Sequence, residues 1–74
     1  MKELKIGTLL KSTMNDCVCR ISNIWVDMSL GLGTVWIELT IVKGDTEKFK
    51  PVSDMKLDDI IKHITLGIIT VEEA

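Results

Sequence analysis

Between Thr34 and Val42 the chain alternates without a break, with Val35, Ile37, Leu39 and Ile41 on one parity and Thr34, Trp36, Glu38 and Thr40 on the other. A period of two is the repeat of a pleated strand, whose successive side chains leave opposite faces. The aliphatic set therefore specifies a buried face, and a one-residue slip in pairing would expose all of it. A sheet is the organising element, and the remaining residues must supply its neighbours. Composition points the same way: alanine occurs once, at Ala74, while isoleucine and lysine are abundant, which lowers helix propensity and raises strand propensity.

Upstream, Leu4, Ile6, Thr8 and Leu10 alternate over Leu4 to Lys11, with Gly7 as a bulge or close-approach point. The run Ser12-Thr13-Met14-Asn15-Asp16 reads as a turn, because Asn and Asp side chains bond nearby backbone. Cys17 to Val26 then forms a second strand. Cys17, Cys19 and Ile21 share one parity and Ile24 and Val26 the other, so a bulge near Ser22-Asn23 is expected. Met28 to Gly33 is a connection that carries two leucines, Leu30 and Leu32. Downstream of the central strand, Lys43 to Glu47 reads as a turn and Lys48 to Val52 as a short strand, which Pro51 confines to a sheet edge or a strand end. From Leu57 the spacing changes: Leu57, Ile60, Ile61 and Ile64 follow the i, i+3, i+4, i+7 rule of an amphipathic helix. Ser53 or Asp54 is placed to cap it, Asp58 and Asp59 to favour its N-terminal dipole, Lys62 and His63 its C-terminal end, and Gly67 to stop it. Ile68 to Glu72 is β-branched and short, a last strand.

The expected fold is mainly β, of the α+β class: about five strands with one short helix before the last. Two architectures satisfy this order, a small barrel with the helix plugging one end and a twisted antiparallel sheet. The opening Lys5-Ile6-Gly7-Thr8-Leu9-Leu10-Lys11, the hairpin after it, and Leu57-Asp58-Asp59-Ile60-Ile61 before the final strand resemble the small SH3-like barrels of bacteria and their phages. The resemblance implies a fold and a bacterial or phage source, and it carries no functional residue.

The length of 74 residues is that of one domain, and 46% apolar against 27% charged residues is a globular balance. A domain this small buries only about 60% of the surface its unfolded chain exposes, so a further source of stability is expected. Cys17 and Cys19 are one residue apart and poorly placed to bond each other. Self-association is the remaining device. No apolar core follows the Met1-Lys2-Glu3-Leu4-Lys5 start, and no stretch approaches the ~18 apolar residues of a membrane helix, so a cytoplasmic protein with no membrane partner is expected.

Chemistry-bearing residues are sparse. Cys17, Cys19 and His63 are the soft ligands available, one short of a structural zinc set and without its spacing, and alternating strand cysteines usually serve as small buried hydrophobes. Asp58 and Asp59 are adjacent on a helix and diverge by roughly 100°. Gly31-x-Gly33 lacks the third glycine and following helix of a phosphate loop. No catalytic, cofactor-binding or metal site is expected. Lys11, Arg20, Lys48 and Lys50 are candidate nucleic-acid contacts, but a net charge of −2 removes the global attraction to phosphate, and alternation sets Phe49 opposite both neighbouring lysines. Trp36 is the anomaly, because it falls on the polar parity of the central strand, and Trp25 flips relative to Ile24 and Val26 in the same way. If the two strands pair, Trp25, Trp36, Leu30, Leu32 and Met28 form one apolar patch with the composition of an interface. The alternative is that the helix covers that face. The expected role is a non-enzymatic binding or assembly module that forms a homodimer through this patch or docks a different protein on it. A small nucleic-acid-binding regulator comes second, and an enzyme whose site is shared between subunits third.

Overall fold

The computed structural model describes residues 4–29, 31, 33–44 and 51–72. The elements are β1 (Leu9–Ser12), β2 (Val18–Asp27), β3 (Thr34–Lys43), β4 (Val52–Lys56), α1 (Leu57–Thr65) and β5 (Ile69–Glu72). The strands form one antiparallel sheet in the order β4-β3-β2-β1-β5. It is the five-stranded sheet with a helix before the last strand, and it remains open at β4 and β5 among the described residues rather than closing into a barrel.

The register explains which residues are inside. Leu10 stands between Cys19 and Val71, Ile21 stands opposite Leu39, and Ile37 lies between Ile24 and Met55. Directly paired residues share a face, so these pairs build one aliphatic surface. The helix packs against this surface where it meets β3 and the two edge strands β4 and β5, with Ile60 fully buried and Leu57 and Ile64 packed beside it. Leu10, Ile21, Ile37, Leu39 and Ile60 form the core, and burying each such side chain stabilises by about 1.5–3 kcal/mol. Two registers shift within the β2–β3 pair, one of them between Ile21 and Asn23, where parity requires it. The bulged Ser22 is held there: its Oγ donates to the Glu38 carbonyl (3.2 Å) and Oε2 (3.0 Å) and accepts from Thr40 Oγ1 (2.9 Å).

Three local expectations are corrected. The first strand begins at Leu9 rather than Leu4, because residues 5–8 form a turn in which the Thr8 N–H donates to the Lys5 carbonyl (3.0 Å) and Gly7 takes φ +98°. Ile6 consequently leaves the buried parity and is 61% exposed. Neither Ser53 nor Asp54 caps α1, since both lie in β4, which runs directly into the helix; Lys56 is the N-cap residue in extended geometry and has no side-chain capping bond. The fourth strand itself lies at Val52–Lys56 and begins just after Pro51. The predicted strand from Lys48 falls largely outside the described residues. Gly67 ends the helix as expected, its N–H donating to the Ile64 carbonyl (3.0 Å). Thr13 fastens the β1–β2 turn to this corner through Oγ1 bonds to the carbonyls of Gly67 (2.8 Å) and Ile68 (3.0 Å).

Candidate functional site

With α1 on one face, the opposite face of the sheet has no covering element among the described residues. Its composition follows from the register. Trp25 stands directly opposite Trp36, which stands opposite Lys56; the next row is Asn23, Glu38 and Asp54; the next is Glu72, Leu9, Arg20, Thr40 and Val52; and Lys11 joins Val18 and Thr70 at the far end. The two indoles are therefore cross-strand partners on the uncovered face, each half-buried against its neighbours. Lys56 Nζ lies 5.7 Å from the centroid of the Trp36 ring, a cation–π distance. Aromatic pairs facing each other across strands contribute roughly 0.2–1 kcal/mol to the sheet, so the pair has a structural role as well as an exposed one.

The other expected interface residues divide. Met28 is 61% exposed, and its sulfur and a Val26 methyl flank Gly33. Val26 alternates with Trp25, so Met28 sits with the hairpin surface that faces away from the indoles. Leu30 and Leu32 lie outside the described residues. Among the candidate nucleic-acid contacts, Lys11 and Arg20 share the uncovered face and are exposed, whereas Lys48 and Lys50 lie outside the described residues. The cations Lys11, Arg20 and Lys56 are interleaved with Glu38, Asp54 and Glu72, which makes a mixed polar surface and not a cationic stripe.

Lys56 and Asn23 belong to this surface although sequence reasoning did not select them. Placing the fourth strand too early hid Lys56, since only the observed register sets it opposite Trp36. Asn23 was absorbed into the expected bulge, and its Oδ1 in fact accepts the N–H of Ile24 (3.0 Å).

The remaining reactive groups are held in local contacts. Cys17 and Cys19 are free and half-buried. Burial, and then the neighbouring Cys17, push the Cys19 thiol up, which disfavours the nucleophilic thiolate. His63 Nδ1 lies 2.5 Å from the Asp59 carbonyl of its own helix. No group of three or more His, Cys, Asp or Glu side chains converges among the described residues. At the β2–β3 connection the Ser29 N–H donates to Asp27 Oδ1 (2.9 Å) and holds the Asp27 carboxyl below its usual range. No helix among the described residues is long and apolar enough to cross a membrane. No family model, curated protein or solved structure matches the chain.

Proposed function

We propose that this chain is a cytoplasmic, non-enzymatic binding and assembly module that self-associates as a twofold dimer through the surface carrying Trp25 and Trp36. One observation carries the reading: the two indoles stand side by side on the sheet face that the helix leaves uncovered. An indole presents a large apolar body with a polar N–H, the chemistry favoured at the centre of protein interfaces. A twofold dimer is the simplest closed assembly for such a self-complementary patch. It would also supply the stability that a core of five buried residues among the described ones leaves short.

The test is the solution mass of the wild type and of the double variant Trp25→Thr/Trp36→Thr, measured by light scattering during size exclusion. Threonine keeps strand propensity, and a Thr–Thr cross-strand pair is tolerated, so circular dichroism should be unchanged. The wild type is expected at twice the 8.3 kDa chain mass and the double variant at the single mass. A double variant that remains folded and dimeric would remove the tryptophans from the interface.

Nucleic-acid binding is the second reading, favoured by the presence of Lys11 and Arg20 on the same face as the indoles. The interleaved carboxylates and the net charge of −2 weigh against it.

A further inference from the structure

The sheet is not equally deep at its two ends. β2 and β3 are ten residues long, while β1 has four. Beside β2, the partners on the β1 side end at Gly7 and Thr8: Gly7 N–H donates to the Ile21 carbonyl (2.8 Å), and Ile21 N–H donates to the Thr8 carbonyl (2.9 Å). The turn at residues 5–8 then takes the chain out of the pairing direction. Beyond Ile21, no described strand stands beside β2 on that side.

The backbone directions in this overhang can be read from the register. Ile41 N–H donates to the Pro51 carbonyl (2.8 Å), so the odd-numbered residues of β3 bond toward β4 and the even-numbered ones toward β2. Trp36, Glu38 and Thr34 stand opposite Trp25, Asn23 and Asp27, which therefore spend their backbone groups on β3. Ile24 and Val26 point theirs outward. The Ile24 N–H confirms the direction, because it is held by the adjacent Asn23 Oδ1 and not by β3. The result is an open edge with the sequence Asn23-Ile24-Trp25-Val26-Asp27, apolar and β-prone at its centre. Val26 is 56% exposed. Natural sheets usually protect such edges with charge, proline or a covering element.

We infer that the second copy joins by strand addition, pairing residues 23–27 of β2 with the same residues of its partner, antiparallel about a twofold axis at Trp25; this rests on the self-association proposed above. The occupant is another copy because the edge is complementary to itself. Placing Trp25 on the axis sets Ile24 opposite the partner's Val26, so the two outward-pointing residues of each copy exchange N–H and C=O bonds in the narrow-pair pattern. Faces match as well as bonds. Ile24 and Val26 meet on the helix side, Asn23 meets the partner's Asp27, and Trp25 meets its own copy, extending the two-indole pair into a row of four. A shift of one residue would set indole against the aliphatic side and misalign the bonds. Asn23 acts as the plug of the free chain, giving up its bond to Ile24 when the partner arrives.

Val26→Pro tests the inference. Proline removes an N–H that points away from β3, so the β2–β3 ladder keeps its bonds, while strand addition is blocked. The variant is expected to be folded by circular dichroism and to run at the single chain mass under conditions in which the wild type runs at twice that mass. If the variant does not fold, amide exchange on the wild type decides. The Ile24 and Val26 amides should exchange at least tenfold more slowly in concentrated than in dilute solution, whereas those of Trp25 and Asp27 should change far less. Equal rates for Ile24 and Val26 at both concentrations, or a folded dimeric Val26→Pro chain, overturn the pairing. If that dimer is lost in the Trp25→Thr/Trp36→Thr variant, the tryptophan surface stands and only strand addition fails. A wild type that is monomeric at every concentration removes both.

Discussion

Ile60→Ala should lower the unfolding free energy by about 3–4 kcal/mol, whereas Ile61→Ala, the same change one residue later, should cost under about 1 kcal/mol. Ile60 has no exposed surface and is the buried residue of α1, while Ile61 is 48% exposed. Truncating Ile60 leaves a cavity between the helix and the Ile21, Ile37 and Leu39 side chains of the sheet, and the strands beneath it cannot collapse to fill the space without breaking their register. The cost therefore includes both the lost transfer energy and the cavity. A chain of this length has roughly 4–11 kcal/mol of stability in total, so the first substitution consumes much of it. Urea unfolding followed by circular dichroism, at one fixed protein concentration because the proposed self-association would add to apparent stability, separates the two variants. Equal midpoints would mean that the helix is not anchored by Ile60.

Gly44→Ala should cost about 3 kcal/mol through two independent effects, a disfavoured backbone and an overlap. Gly44 follows β3 with φ +146°, which L-residues rarely adopt. A Cβ there would lie 2.6 Å from Cys17 Sγ and 3.3 Å from the Cys17 Cα and Cβ. Backbone atoms cannot move aside as a side-chain tip can. Adding Cys17→Ala to Gly44→Ala should recover about 1–2 kcal/mol by removing the closest contact, while the backbone cost remains. The single Cys17→Ala change should be mild, since the Asn15 Oδ1 bond is to the Cys17 backbone N–H and survives. A double variant no more stable than Gly44→Ala would show that backbone conformation alone sets the requirement for glycine.

The sequence carried the sheet in proportion to how strictly one face had to be buried. The alternation from Val35 to Ile41 gave β3 and its inward side, the parity change after Ile21 gave the bulge, and the spacing of Leu57, Ile60, Ile61 and Ile64 gave the helix face that packs, except that Ile61 is left half exposed at its margin. Ends set by a turn or by direct strand–helix continuity were hidden. Ile6 has the right parity for a strand, but the Lys5–Thr8 turn removes it. Asp54 has the right chemistry for a cap, but β4 consumes it. For the candidate site, the wrong parity of Trp25 and Trp36 was legible because it violates the burial pattern. Their direct opposition was not, since register depends on the bulge as well as on parity. The open edge at Ile24 and Val26 was not legible at all, because it exists only through the difference in length between β1 and β2.

Sedimentation equilibrium of the wild type over a wide concentration range measures directly whether this chain works as a pair, as proposed. The expected result is a mass that rises from 8.3 kDa to twice that value and then levels off, as a closed twofold assembly requires. A mass that stays at the single-chain value up to the highest concentration would contradict it.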